Sequence, residues 1–224
     1  LCDGERAVVL EPARVYTRLL DGGIGPNTGG MGCYSPVTDL PTGLVDFVLR
    51  EVMEPTLATL QEDGVSYRGF LFAGIMLTAD GPKVLEFNCR LGDPETQVIL
   101  PRLDEDLLAL LAAAAAGELP DRPLRFKDKA AVDVVLAATG YPENPLRGST
   151  IAGVDPVQER DDVHVFHAGT RHTADGMISD GGRVLNVVGT GPDIATARAA
   201  AYEAAEAITY EGRYYRTDIA KGAQ

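Results

Sequence analysis

Apolar and polar residues recur along the first 128 positions with periods that predict both helices and strands. Leu44, Val48, Val52 and Leu57 recur near helical spacing, and Pro55 is expected to kink the helix that they form. The nearly continuous apolar run over 69–78 is typical of a strand that is covered on both faces. The predicted elements are a strand over 6–10 after an Asp-Gly hairpin turn, a helix over 42–63, strands over 69–78 and 83–88, a short helix that Asp93 caps and that ends before Pro101, and a helix over 104–116 that stops at Gly117.

The pattern changes at residues 117–128, a polar connector that contains proline. Beyond it the apolar runs predict strands over 130–138, 163–168 and 183–188 and an alanine-rich helix over 193–209. We therefore place a domain boundary after residue 128 and predict two domains, 1–128 and 129–224. The fold class is α+β, with a small mixed α/β domain at the carboxyl end.

Charge and composition narrow the classes of function. The 224 residues contain 20 Lys and Arg against 33 Asp and Glu, a formal charge of −13, which disfavours binding to nucleic acid. No apolar run approaches the roughly 20 residues that span a bilayer, so we expect no membrane association. Cys2, Cys33 and Cys89 form no Cys-x-x-Cys pair and are expected to be reduced thiols of a cytoplasmic protein.

The strand that ends at Asn88 carries the first candidate chemistry. Glu86 and Asn88 are two apart, so both side chains are expected on one face, roughly 6.6 Å apart along the backbone. A carboxylate and an amide oxygen on one face suit Mg²⁺, which also takes oxygen ligands from nucleotide phosphates. Arg90 lies two residues further on and would bring a cation to a phosphate or acyl-phosphate oxygen. The alternative is an edge strand whose polar face is in water.

Residues 21–36, which we call the glycine loop, carry the second candidate site. Gly29, Gly30 and Gly32 permit positive φ and close approach of the backbone, so the loop could aim N–H groups at a phosphate. No Gly-Lys-Ser/Thr follows, so it is not a Walker loop. The helix start at Asp93 could also face an anion. For the loop the alternative is a tight connector without a ligand, and for Asp93 it is capping alone.

Read together, these segments resemble one enzyme family. The strongest matches are the glycine-loop run Gly25-Pro26-Asn27-Thr28-Gly29-Gly30-Met31-Gly32 and the run Glu86-Phe87-Asn88-Cys89-Arg90-Leu91-Gly92-Asp93-Pro94-Glu95-Thr96-Gln97. Supporting matches are residues 69–74, 166–170, 181–185 and 215–219. The chain resembles the phosphoribosylamine–glycine ligase family (glycinamide ribonucleotide synthetases) of the ATP-grasp superfamily.

The resemblance implies a fold, an activity and a site. Residues 1–128 would be the later part of an ATP-grasp domain, and 129–224 the family's C-terminal domain. The family joins glycine to 5-phosphoribosylamine with ATP in purine biosynthesis, by way of a glycyl phosphate. Glu86 and Asn88 would hold Mg²⁺ (or Mn²⁺) at the ATP phosphates, and Arg90 would be catalytic. The substrate and phosphate contacts implied are Asn27, Thr28, Gly29, Gly30, Met31, Gly32 and Asp93.

Departures from the family pattern keep two alternatives open. Val15-Tyr16-Thr17-Arg18 retains only the arginine of an Asp-His-Lys-Arg-like run, and Gly23 and Ile24 replace polar residues. This favours, as an alternative, a related ATP-grasp carboxylate–amine ligase with another amine acceptor. The chain also begins at Leu1 in a hairpin with one complete strand, so we expect an upstream lobe that carries much of the ATP site. Without that lobe the chain is expected not to turn over, and the second alternative is a non-catalytic fragment.

Overall fold

The computed structural model describes residues 1–174 and 176–223. Its strands, in chain order, are β1 (Cys2–Asp3), β2 (Arg14–Val15), β3 (Arg18–Leu20), β4 (Ile24–Asn27), β5 (Gly32–Ser35), β6 (Arg68–Gly69), β7 (Phe72–Thr78), β8 (Gly81–Asn88), β9 (Ala130–Ala138), β10 (Val163–His167), β11 (Thr170–Thr173), β12 (Gly176–Ser179), β13 (Arg183–Gly191) and β14 (Arg213–Tyr214). Its α-helices are α1 (Leu44–Val48), α2 (Glu54–Glu62), α3 (Glu95–Ile99), α4 (Leu107–Ala116), α5 (Val154–Gln158) and α6 (Ile194–Ala207).

Contacts within the chain separate two compact units. Unit 1 contains residues 1–11, 39–92 and 103–127, and unit 2 contains residues 12–38, 93–102 and 128–224. This grouping differs from the predicted division at 128/129, because segments 12–38 and 93–102 pack with the later part of the chain. The assignment of 1–128 and 129–224 as the two domains stays a prediction.

In unit 1, β7 and β8 form an antiparallel hairpin that confirms the two predicted strands. The register shifts between Gly74 and Ile75, where Glu86 and then Val84 are the partners, so Leu85 is the extra residue of a β-bulge. The expectation that β7 is covered on both faces is wrong. Met76 is 49% exposed and Leu77 41%, because the described residues contribute two strands to this sheet.

The helix predicted over 42–63 forms in three parts. α1 is followed by a π-helical segment, Leu49–Met53, and then by α2. Pro55 lies in the first turn of α2 and has no N–H to donate to the preceding turn, so the hydrogen-bond pattern changes just before it.

The apolar helix α4 is ten residues long and confirms the predicted helix from residue 107 onward. Asp106 caps its start by accepting from Ala109 N, and Gly117 ends it with φ +84°. Among residues 1–174 and 176–223, we find no helix that combines the length and apolarity needed to cross a bilayer.

The strand predicted over 6–10 does not form. Cys2 and Asp3 pair instead with β6, and within 6–10 only Ala7 makes an isolated bridge. The buried Asp3 carboxylate accepts N–H groups of Glu5 and Arg6, which bends the chain where the strand was expected. Burial opposes ionisation of Asp3, but these donors and a third from Leu119 outweigh it and lower the pKa of the carboxyl.

The core of unit 2 is a six-stranded antiparallel sheet in the order β10-β13-β9-β5-β2, with β14 also paired to β9. All nine residues of β9 are buried, which confirms the strand predicted over 130–138. α6 packs on one face of the sheet, where a Cβ on Gly189 would lie 2.2 Å from Ala197 O. Val188 has the opposite parity and faces α3, in a cluster with Cys33, Val98 and Ala131.

Residues 216–218 of unit 2 hydrogen-bond to the turn of the β3–β4 hairpin. Asp21 accepts hydrogen bonds from the backbone N–H and the hydroxyl of Thr217, and Asp218 accepts one from Gly22 N. Arg216, which is 2% exposed, donates Nε and Nη2 to the Asp218 carboxylate at 2.7 Å each. This bidentate pair lowers the pKa of Asp218 to about 2.

Candidate active site

Strand β8 places Glu86 and Asn88 on one face, as their spacing predicts. Asn88 Nδ2 donates to Glu86 Oε1 at 3.0 Å. Gly74 lies opposite Glu86 in the register, and a Cβ there would come within 3.3 Å of Glu86 Cγ. A glycine on β7 therefore leaves room for the Glu86 side chain.

The two side chains have the donor chemistry of a Mg²⁺ or Mn²⁺ site. A carboxylate and an amide oxygen are hard ligands, and Mg²⁺ commonly takes one or two carboxylates together with substrate phosphates. Within the residues that the structure describes, His, Cys, Asp and Glu form no cluster of three that would suit a metal by itself. The pair therefore fits an ion whose remaining ligands come from a nucleotide and water.

Arg90 follows this strand as an exposed side chain. Its Nη1 donates to Leu91 O at 2.9 Å, which leaves the guanidinium at the surface of unit 1. Cys89 beside it is a free, exposed thiol.

In unit 2 the backbone N–H groups of the glycine loop form hydrogen bonds within the protein. Thr28 N donates to Thr17 O, Gly30 N to Thr28 Oγ1, and Met31 N to Tyr16 O, at 2.7–3.0 Å. Gly29 N donates to the Tyr141 hydroxyl at 3.0 Å. These four N–H groups thus hold the loop in shape. Their predicted role as phosphate donors stays a prediction that no contact in unit 2 supports.

Packing explains why two of the loop positions are glycine. Gly30 has φ +115°, and a Cβ there would lie 2.5 Å from Pro94 Cδ. Gly32 has φ +152°, and a Cβ there would lie 2.5 Å from Asp133 O. Met31 between them is fully buried. Asn27 and Gly29 are exposed and Thr28 is partly exposed, so a ligand can reach these three residues.

The short helix after Asp93-Pro94 is α3, and it ends before Pro101 as predicted. The prediction that Asp93 caps it is wrong, because Pro94 occupies the N-cap position and no side chain caps the helix. The Asp93 carboxylate instead accepts from Gln97 Nε2 at 3.1 Å and pairs with Arg183 Nη1 at 3.2 Å.

Arg183 and Tyr141 contact the candidate loop, and the sequence analysis selected neither as a candidate site residue. Arg183 Nη1 donates to Gly29 O and to Asp93 O, at 2.9 Å each, so it joins the loop to the turn before α3. Tyr141 holds the N–H of Gly29, and Gly182 makes room for its ring, since a Cβ there would lie 2.2 Å from Tyr141 Cδ2. The only local signal was the supporting match over 181–185.

The acidic residues near Arg183 include one that is wholly buried. Both oxygens of Asp133 in β9 lie inside unit 2 with no hydrogen-bond partner among the described residues. Burial raises the pKa of this carboxyl well above its usual range, and the charges of Asp93 and Glu95 raise it further. Arg183 and the backbone N–H of Val187 partly offset them. Burial likewise raises the pKa of the Cys33 thiol, so no reactive thiolate forms there.

Comparisons with known proteins identify the family of this chain. Residues 1–96 match the family model described as "Phosphoribosylglycinamide synthetase, ATP-grasp (A) domain", and residues 131–222 match the model of the C domain of the same enzyme. Proteins named phosphoribosylamine–glycine ligase from Brucella melitensis and Streptomyces coelicolor are 45% and 49% identical over 219 and 224 residues. These alignments cover 98% and 99% of this chain but 51% and 54% of the relatives.

A solved structure gives the same result for the fold. The crystal structure of phosphoribosylamine–glycine ligase from Thermotoga maritima superposes with a TM-score of 0.85 at 40% identity. The superposition covers 96% of this chain and 53% of that one, so the chain spans about half the length of the relatives it matches. The predicted class, mixed helix and sheet with an ATP-grasp region, is confirmed. With both domain models matched in order and nearly every residue aligned, the chain belongs to the phosphoribosylglycinamide synthetase family.

Proposed function

We propose that the protein carrying this chain is a phosphoribosylamine–glycine ligase of purine biosynthesis. It joins glycine to 5-phosphoribosylamine and converts ATP to ADP and phosphate. The observation that carries the proposal is the 45–49% identity to proteins of that name over 98–99% of this chain. An acidic polypeptide with no membrane-spanning helix among its described residues is compatible with a cytoplasmic enzyme of small molecules.

In this proposal Glu86 and Asn88 hold the divalent cation of the nucleotide. The ion, Mg²⁺ or Mn²⁺, would neutralise charge on the transferring phosphoryl group when bound. Strand alternation places both side chains on one face, where Asn88 Nδ2 donates to Glu86 Oε1. Rotation of the Asn88 amide would exchange this hydrogen bond for Oδ1 as a metal ligand. Arg90 supplies a mobile cation for an acyl-phosphate oxygen.

The reaction needs glycine activated as an acyl phosphate before the amine attacks. Transfer of the γ-phosphoryl group to the glycine carboxylate forms glycyl phosphate and ADP. The amine then attacks the glycyl carbonyl and displaces phosphate, which forms the amide. Among the implied contact residues 27–32, Asn27, Thr28 and Gly29 are exposed or partly exposed and would contact a phosphorylated substrate.

The test is ADP release by the whole polypeptide that carries these 224 residues. We expect release to require ATP, a divalent cation, glycine and phosphoribosylamine together. Replacing phosphoribosylamine by other amines distinguishes this enzyme from a carboxylate–amine ligase with another acceptor. A folded protein that releases no ADP with all four components would refute the proposal. Titration with Mg²⁺ and Mn²⁺ in turn identifies the ion.

A further inference from the structure

Arg183 has a hydrogen-bonding edge that the protein does not use. All of its contacts come from Nη1, which reaches Gly29 O, Asp93 O and Asp93 Oδ1. Its Nε and Nη2 have no partner among the residues that the structure describes, and neither nitrogen is buried. The side chain is 20% exposed, so the guanidinium is held rigidly with one edge open.

Glycine at position 29 leaves room for one face of the Arg183 guanidinium. A Cβ on Gly29 would lie 3.1 Å from both Cζ and Nη2 of Arg183 and 3.4 Å from Nε. Gly29 needs no left-handed conformation, since its φ lies outside the region that favours glycine. Space beside the guanidinium, and not backbone strain, is therefore what the missing side chain provides.

The geometry points to the Nε/Nη2 edge of Arg183 as a binding site for a phosphate monoester. Two parallel N–H donors on one edge of a guanidinium match two oxygens of a phosphate. Because Nη1 already holds the loop and the turn, little side-chain freedom is lost on binding. The exposed loop residues Asn27 and Thr28 lie close in sequence to Gly29 and belong to the same unit. Assignment of the ligand as the 5-phosphate of phosphoribosylamine rests on the proposed function.

The experiment measures binding of ribose 5-phosphate, inorganic phosphate and ribose to the chain by calorimetry. Ribose 5-phosphate should bind, inorganic phosphate should bind more weakly, and ribose should not bind. Arg183→Gln should weaken the binding of both phosphate ligands at least about tenfold, and Arg183→Lys should retain part of the wild-type affinity. Gly29→Ala should weaken binding of both phosphate ligands as well, because its Cβ would press on the guanidinium face and displace the Nε/Nη2 edge. Arg171→Gln, an exposed arginine of the same unit that pairs with Asp180, is the matched control and should change nothing.

Tyr141→Phe separates an anion contact from loop positioning. It removes the hydrogen bond from Gly29 N but leaves the Arg183 edge untouched. The inference is overturned if Tyr141→Phe weakens the binding of ribose 5-phosphate as much as Arg183→Gln does. It is also overturned if ribose binds as tightly as ribose 5-phosphate. Melting temperatures of all variants identify any that fail to fold. If Arg183→Gln fails to fold, the affinity of Gly29→Ala for the two phosphate ligands decides.

The ligase assay separates this inference from the proposed function. In an active ligase, Arg183→Gln should raise the KM for phosphoribosylamine at least about tenfold and leave the KM for ATP unchanged. Unchanged KM for phosphoribosylamine in an active enzyme overturns the inference alone. Binding of ribose 5-phosphate through Arg183 without any ligase activity overturns the proposed function alone.

Discussion

Replacing Asp133 by valine should stabilise the chain. Both carboxyl oxygens lie in the sheet of unit 2, the residue is 0% exposed, and neither oxygen makes a full hydrogen bond with a described residue, although the backbone N–H of Val187 favours the ionised form. An unpartnered buried polar group costs about 1–3 kcal/mol in mutational data. Valine has a similar shape and would face Val188 and Cys33, its neighbours in the register. We therefore expect the free energy of unfolding to rise by about 2 kcal/mol, or roughly 4–8 °C in Tm for a chain of this length.

The pH dependence gives the sharper test. Because burial raises the folded-state pKa of Asp133, the folded chain binds this proton more tightly than the unfolded chain does. Its contribution to stability is present below the unfolded pKa of roughly 3.9 and is lost as pH rises through the folded pKa. Over that interval wild type should lose about 1.4 kcal/mol per pH unit from this group. The advantage of Asp133→Val should therefore grow from pH 4 upward.

Two further variants separate the polar group from its titration. Asp133→Asn removes the proton equilibrium but keeps an unpartnered amide. It should therefore abolish the pH dependence that this group gives to the free energy of unfolding, and stabilise the chain less than Asp133→Val does. Asp161→Asn changes an exposed aspartate of the same unit and should leave both quantities unchanged. Urea unfolding between pH 4 and pH 8 measures all four proteins. The reasoning fails if Asp133→Val is less stable than wild type at pH 7, because the carboxylate would then be ionised and stabilised by Arg183.

Three other predictions test the remaining features. Glu86→Gln should weaken the divalent-cation dependence of ADP release at least about tenfold, since even residues that only support metal ligands commonly matter by 10–100-fold, and a cation titration of activity measures this. Gly30→Ala should destabilise by about 1–3 kcal/mol more than Gly148→Ala, because both have positive φ but only Gly30 would bring a Cβ against Pro94; equal losses in urea unfolding would contradict this. Asp218→Asn should flatten the acid limb of unfolding, because the lowered pKa of Asp218 contributes stability above pH 4 that is lost as pH falls towards 2.

Local rules predicted that Glu86 and Asn88 share a face of the strand, because these rules depend on neighbours in sequence. Strand alternation alone placed Glu86 and Asn88 on one face, and their hydrogen bond confirms it. The same kind of rule misassigned Asp93, since an Asp-Pro step at a helix start usually places the aspartate at the cap. Here the carboxylate turns to Arg183, 90 residues away along the chain.

Contacts between distant segments could not be predicted from one sequence. The two residues that hold Gly29 lie 112 and 154 positions away, and neither stands in a motif with a known physical reason for the contact. Asp133 belongs to an apolar run that predicts a buried strand, but only the packed sheet shows that its carboxyl lacks a donor. The exposure of β7 could not be predicted from its apolar run. Such a run indicates where a strand forms, but the exposed fraction of its side chains depends on which other segments pack beside it.

Segments of the two units alternate along the chain, so the units cannot fold one after the other as the polypeptide is synthesised. β5 pairs with β9, which begins about 95 residues later, and at about 5–20 residues per second the ribosome needs roughly 5–20 s to deliver that partner. During this interval β5 and the segment 12–38 have left the ribosome but cannot complete their sheet. Unit 2 therefore closes only when β9 and β13 emerge, and a polypeptide that ended at residue 128 would leave β5 with an open edge available for aggregation.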